Sequence, residues 1–148
     1  MSADDHSIAR PPAGFESLFR ESNYVKLLGP IFHKKMGDTF VLGLRVAEKH
    51  CNTRGDMHGG VMSSLADTAM GYNIAFSEQP PISAVTASLT VDYFGRTGVG
   101  DWLEAHVEIQ KKGKRLTFIS CNFFVGENSV ARATAVFHML QKQLQTSF

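Results

Sequence analysis

Cysteine is scarce: the 148 residues hold only Cys51 and Cys121. Two thiols are too few for a disulfide framework, and no Cys-x-x-Cys pair offers a zinc site. Free thiols fit a reducing cytoplasm. A surplus of one charge is lacking as well. Lys and Arg number 15 against 14 Asp and Glu, for a formal net charge of +1. No global field therefore draws the chain to nucleic acid or to an anionic membrane. No apolar run is long enough to span a bilayer. Residues 1–15 have no apolar core behind a basic start, so they do not read as a secretory signal. These absences predict a cytoplasmic protein without nucleic-acid or membrane partners. Internal repeats and low-complexity segments are also missing.

What is present is ordinary in bulk and informative in pattern. Hydrophobic residues make up 43% and charged residues 20%, as in soluble globular domains. The length suits one domain with a sizeable core. Residues 1–13 are polar, end in Pro11-Pro12 and read as a loose arm, leaving 14–148 as the domain. Residues 14–22 predict a short amphipathic helix with Phe15, Leu18 and Phe19 on one side. The stretch YVKLLGPIFHKK is a weak strand candidate broken near Gly29-Pro30. Thr39–Glu48 alternates as a better strand. HCNTRGDMHGG is loop-like, and residues 61–76 follow as a helix that is apolar almost all round. Such a helix belongs inside something. After Pro80-Pro81 come four alternating stretches, with turns at 95–100, 112–114 and 126–128. In the first of them Val85, Ala87, Leu89, Val91 and Tyr93 share a face. Short connections predict antiparallel pairing in a four-stranded meander. An α+β fold follows, with the sheet wrapped around one long helix.

Asp67 is the only charge in that helix. A carboxylate buried alone costs several kcal/mol, so it must be paired, solvated or protonated. It is either structural, bonded to nearby backbone or to Ser63, Ser64 or Thr68, or it is functional. Ser63, Ser64, Met70 and Gly71 lie one turn away on its side. The serines are either donors to the carboxylate or small residues that admit a strand, and packing is the preferred reading.

His58-Gly59-Gly60 stands where the helix should begin. Free backbone N–H groups there point outward with partial positive charge, and glycine lets a ligand approach closely. A polarised carbonyl needs such a donor. Alternatively the glycines only make a tight turn. Asn52 either donates its amide to a substrate or holds the loop. His58 is read as orienting the loop. Asp67 lies eight residues beyond Gly59, on the order of 12 Å along a helix axis. One helix therefore cannot readily offer both groups to one reacting carbonyl. A second copy packed antiparallel can, and twofold symmetry would then give two sites per dimer.

Asn52-x-x-Gly55-x-x-His58-Gly59-Gly60, followed by Leu65-Ala66-Asp67, resembles the hotdog-fold thioesterases, and most nearly the phenylacetate-pathway branch related to 4-hydroxybenzoyl-CoA thioesterases. The likeness extends over roughly residues 25–142. It implies a hotdog fold, an acyl-CoA substrate, and a homodimer that often pairs again into a tetramer. The position of Asp67 implies a nucleophile or general base from one subunit. That of Gly59 implies the oxyanion N–H from the other. Asn52 and His58 match positions that place the thioester or water, and Thr86 matches a position where relatives use Ser to place water.

Coenzyme A would bring phosphates. Arg96, Lys111, Lys112, Lys114 and Arg115 are candidates to meet them, or else belong to solvated turns. Phe94 and Tyr93 either flank the pantetheine or adenine or belong to the core. Gly60, Ser64 and Met70 are expected beside the acyl thioester, with pocket depth set around Met70, Ile74 and Phe76. The predicted reaction is thioester hydrolysis without metal or redox cofactor. Two rivals remain, a hotdog dehydratase using His58 and Asp67, and a non-catalytic acyl-CoA sensor.

Overall fold

The computed structural model describes residues 10–140. The proposed arm thus falls largely outside the described residues. Strand β1 (Glu16–Ser17) pairs antiparallel with β2 (Ile31–Met36), and helix α1 (Asn23–Leu28) lies between them in sequence. Strand β3 (Thr39–Arg45) follows, then a 3-10 turn at Glu48–His50 and helix α2 (Gly59–Ala75). The remaining strands are β4 (Ala84–Tyr93), β5 (Trp102–Lys112), β6 (Leu116–Val125) and β7 (Asn128–Met139). All pair antiparallel in one sheet ordered β1-β2-β3-β5-β6-β7-β4.

Two sequence expectations fail near the N-terminus. Residues 14–22 do not form a helix. Glu16 and Ser17 pair with His33 and Phe32 instead, because the edge of β2 offers free backbone partners. The helix comes later, at Asn23–Leu28, inside the stretch read as a strand. Ser22 caps it by accepting the Val25 N–H at 3.2 Å, a local bond that favours helix initiation. Only the second half of that stretch, after Gly29-Pro30, is strand.

The four-stranded meander also needs correction. β5, β6 and β7 form one, but β4 pairs with β7 at the sheet edge, and β5 pairs with β3. The segment Phe94–Asp101 therefore crosses the sheet rather than making a hairpin. It is tied down at both ends: Phe94 and Gly95 N–H groups donate to Val130 O, and Val46 N–H donates to Asp101 O.

One face of the sheet carries the core. Leu42, Leu44, Leu103, Ala105, Ile119, Cys121, Phe123, Ala131, Ala133 and Phe137 are buried there, in register across the strands. They pack on the side of α2 that bears Met62, Leu65, Ala66, Ala69, Met70 and Ile74. Asn73 locks this packing. Its side chain accepts the Phe40 N–H at 2.7 Å and donates to Phe40 O and Ala69 O at 2.9 Å. β3 meets β5 only from Leu42 onward, so Asn73 satisfies strand groups that no neighbouring strand reaches.

The pattern of β4 changes partway along. The register slips between Thr86 and Ser88, a bulge centred on Ala87. Thr86 thereby stands opposite Phe137, in the same inward row as Leu89 opposite Ala135 and Val91 opposite Ala133. Val85 pairs with His138 and points outward, 46% exposed. Strict alternation had put Val85 and Ala87 with Leu89. One extra residue at a bulge reverses the facing of everything before it.

Candidate active site

The sheet covers only one side of α2. The other side, bearing Gly60, Ser63, Ser64, Asp67 and Gly71, is partly open in the single chain. Asp67 is thus half-buried rather than enclosed. β4 reaches this side through Thr86 and Tyr93, and α1 through Tyr24, so it is partly rather than fully covered.

Asp67 is held by a residue distant in sequence. Thr86 Oγ1 donates a short hydrogen bond to Asp67 Oδ1. The bulge in β4 makes this possible by turning Thr86 inward. The near neighbours do not supply donors. Ser64 Oγ donates to Gly60 O at 2.9 Å and Thr68 Oγ1 to Ser64 O at 2.7 Å, the back-bonding that short hydroxyls make in helices. Ser64 also sits 2.6 Å from the Tyr24 hydroxyl of α1. Since the Ser64 proton goes to Gly60 O, Tyr24 is the donor. Met70, expected beside the substrate, is fully buried against the sheet. A residue three positions past Asp67 has turned about 60° from it around the axis, enough here to leave the open face.

The entry to α2 is built from three residues. His58 is the N-cap, and its Nδ1 accepts the Gly60 N–H at 2.8 Å. Its proton therefore resides on Nε2 when the ring is neutral. His58 O accepts the Val61 and Met62 N–H groups, and His58 N–H donates to His50 O at 2.8 Å. Among the described residues the Gly59 N–H has no acceptor. It stands free at the positive end of a 17-residue helix. Gly59 also receives Tyr93, whose hydroxyl donates to Gly59 O at 2.7 Å. A Cβ on Gly59 would lie 3.3 Å from Tyr93 Cζ, so the ring occupies the space of the missing side chain.

Asn52 holds the preceding loop. Its Oδ1 accepts the Arg54 N–H at 2.9 Å and the Asp56 N–H at 3.2 Å. Both uses fall on the oxygen, and the amide nitrogen is left without a partner among the described residues. Asn52 lines a cavity of about 230 Å³ together with Met57, Gly59, Met62, Tyr93 and Thr97. Thr97 Oγ1 is buried there without a hydrogen-bond partner. Arg54, Asp56 and Arg96 also line it, so apolar and charged groups stand together beside the Gly59 donor.

The proposed phosphate contacts do not form one cluster. Arg96 lies at the Gly59 end, bound to Asp56 Oδ1 at 3.0 Å yet largely exposed. Lys112 lies beyond the other end of α2, bound to Glu78 at 2.6 Å and Ser77 Oγ at 3.2 Å. Lys111 and Lys112 close β5, and Lys114 and Arg115 follow in the turn to β6. The two groups are separated by the length of α2, about 25 Å. The thiols offer no alternative nucleophile. Burial pushes Cys121 up to about 12. Burial, and then the Asp56 and Glu48 carboxylates, raise Cys51. Neither is a thiolate at neutral pH.

Tyr93 is the residue whose role sequence reasoning missed. Its signal was its place at the end of the Leu89-Val91-Tyr93 alternation, which aims a polar tip inward just past the core. Within the described residues no group of three or more His, Cys, Asp or Glu side chains could hold a metal, and no helix is long and apolar enough to cross a membrane.

Comparison with known proteins bears on the family and the fold. The profile of the thioesterase superfamily matches residues 54–131. A Pseudomonas aeruginosa protein provisionally named an esterase, PA0474, is 46% identical over 129 residues, covering 86% of this chain and 96% of its own. The acyl-coenzyme A thioesterase PaaI of Escherichia coli is 33% identical over 75 residues, covering 51% of each chain. The solved structure of the E. coli PaaI protein from the phenylacetic acid degradation operon superposes with a TM-score of 0.74. That superposition covers 82% of this chain and 86% of the other, at 25% identity. A curved antiparallel sheet packed on one long helix, a matched profile over half the chain and a relative alike along nearly its whole length lead to one assignment: the chain is a hotdog-fold thioester hydrolase belonging to the thioesterase superfamily.

Proposed function

We propose that the protein hydrolyses acyl-coenzyme A thioesters, with an aryl or a medium- to long-chain acyl group, at sites shared by two antiparallel copies. The observation that carries this is the layout of α2. A free Gly59 N–H opens the helix, and Asp67 stands eight residues on, along its uncovered side. The two are on the order of 12 Å apart along the axis, too far to act on one carbonyl. A twofold-related copy laid against the uncovered side would bring its Asp67 opposite the first Gly59. β4 is an edge strand, with main-chain groups free to pair with a second copy. Two such dimers would then associate as a tetramer.

In this scheme the thioester oxygen lies on the Gly59 N–H, where the helix field favours developing negative charge. Asp67 Oδ1 is occupied by Thr86, which leaves Oδ2 toward the substrate. The carboxylate either takes a proton from water as the water attacks, or itself attacks to give a mixed anhydride that water then opens. In both routes the carbon–sulfur bond breaks, the thiol of coenzyme A leaves and the free acid remains. Asn52 places the thioester through its unused amide nitrogen, and Arg96 meets a phosphate at the cavity mouth. No metal or redox cofactor enters the scheme, and the enzyme works in the cytoplasm. The name borne by E. coli PaaI supports coenzyme A as the thiol. A dehydratase would call on His58 as a base, and its Nδ1 is already committed to Gly60.

Thiol release from a panel of aryl- and fatty-acyl-CoAs, with wild type and Asp67→Ala side by side, tests the proposal. Wild-type activity that falls at least about 100-fold in the variant, as loss of a general base or nucleophile requires, supports it. Release that survives in Asp67→Ala discards the carboxylate. Binding without release in either protein indicates an acyl-CoA sensor.

A further inference from the structure

We infer that Tyr93 is a positioning residue for the carbonyl-binding donor, gripping the Gly59–Gly60 peptide so that the Gly59 N–H keeps one direction. This deepens the proposed function and rests on Gly59 being the oxyanion donor.

Glycine has the widest backbone freedom of any residue, and here two stand in succession at a helix start, where turns fray. A donor aimed at a transition state must already be oriented. The peptide between Gly59 and Gly60 is held at both ends. Its carbonyl accepts from the Tyr93 hydroxyl at 2.7 Å, and its N–H donates to His58 Nδ1 at 2.8 Å. The Gly59 N–H lies in the preceding His58–Gly59 peptide, whose carbonyl accepts from the Val61 and Met62 N–H groups, so the two planes meet at the Gly59 α-carbon and its φ and ψ are the freedom the clasp must limit. The Tyr93 ring lies against that α-carbon and fills the side-chain space, which limits these rotations. The Tyr93 proton goes to Gly59 O, so the hydroxyl oxygen accepts from Ser63 Oγ, 2.6 Å away. Ser63 sits one turn further along α2, so the tyrosine clasps the first turn as a unit.

The polar and apolar contacts of this tyrosine converge on the start of α2: its hydroxyl meets Gly59 O and Ser63 Oγ, and its ring lies beside the Gly59 α-carbon. β4 thus carries Thr86 on Asp67 near one end and Tyr93 on Gly59 at the other. The strand aligns both halves of the chemistry, each half serving a different site in the dimer.

The experiment uses the intact oligomer as wild type, Tyr93→Phe and Ser63→Ala. Steady-state kinetics on an acyl-CoA that the wild type hydrolyses should show kcat down about tenfold or more in Tyr93→Phe, with KM within about twofold. A donor displaced from the transition state costs rate more than ground-state binding. Ser63→Ala, which leaves the Tyr93–Gly59 bond in place, should lose less. Amide hydrogen exchange provides a readout that needs no turnover. Val61 and Met62 should exchange faster in Tyr93→Phe, while Ala69, deeper in α2, stays unchanged. Faster exchange in Tyr93→Phe, alongside a wild type that releases no thiol, would keep the clasp and fail the hydrolase reading. Unchanged kcat with unchanged exchange would overturn the inference. Equal losses in Tyr93→Phe and Ser63→Ala, with faster exchange throughout α2, would overturn it too, as the mark of general loosening.

Discussion

At the scale of single residues the proposed chemistry turns on the contact between Asp67 and Thr86. A carboxylate with both oxygens solvated samples many orientations, whereas one held through Oδ1 presents Oδ2 in a fixed direction. Thr86 is the donor that holds it. The resemblance matches Thr86 to a position where some relatives use Ser to place water, and in this fold its hydroxyl lies on the carboxylate. Thr86→Val keeps the β-branched shape and deletes the donor. Its kcat should fall about tenfold to 100-fold, the span of a misaligned acid–base group, while the thermal midpoint moves little. Activity equal to wild type in Thr86→Val, measured by thiol release, would show that the hydroxyl does not orient Asp67. Asn52 offers a parallel lesson. Sequence reasoning left it between loop staple and substrate donor; Oδ1 closes the loop, and among the described residues the amide nitrogen has no partner.

Elements act here through their ends. α1 is short, and its C-terminal carbonyls are collected by residues from the 3-10 turn. Lys49 Nζ donates to Leu27 O and Gly29 O, and His50 Nε2 to Leu28 O. His50 is buried, and its Nδ1 accepts the Ala47 N–H at 2.9 Å. Burial lowers its pKa from the ordinary 6.5; the Leu28 carbonyl opposes that shift and the Lys49 charge adds to it. The folded state thus binds a proton less readily than the unfolded chain. Stability is retained above about pH 6.5 and declines as pH falls below it, until the folded state also takes up the proton. Protonation would set two N–H groups against each other at Ala47. Denaturant midpoints at pH 7.5 and 5.5 should therefore drop on acidification in wild type and drop less in His50→Gln. Equal drops in both proteins would place the effect elsewhere. Since His58 N–H rests on His50 O, the same acid transition should loosen the entry to α2.

For the whole molecule, one protomer cannot bring Gly59 and Asp67 together. Shared sites make a prediction that no single-chain mechanism makes. Asp67→Ala and Gly59→Val proteins should each be nearly inactive. Unfolded together and refolded as a mixture, they should recover about a quarter of wild-type activity. Random pairing makes half the dimers mixed, and each mixed dimer keeps one of its two sites intact. Thiol release measured before and after mixing checks this, and no recovery despite subunit exchange would return both groups to one chain. The sheet order bears on the same point. With β4 at the edge rather than inside a meander, both Thr86 and Tyr93 stand next to the surface a second copy would cover.

Some of this was legible in the chain itself. The apolar helix, the solitary Asp67, the glycines at its start and the eight-residue interval are local or periodic features, and helix geometry converts them directly into positions. The strand–turn rhythm after residue 84 likewise marks an antiparallel sheet. The tertiary structure decided what depends on pairing at a distance. It put β4 against β7, bulged the strand at Ala87 so that Thr86 faces Asp67, made a strand of Glu16–Ser17, and set Tyr93 over Gly59. Strand order and register are chosen by the competition among all edges and faces for burial and backbone partners. No local pattern carries the outcome of that competition, and one slipped residue is enough to change which side chain reaches the site.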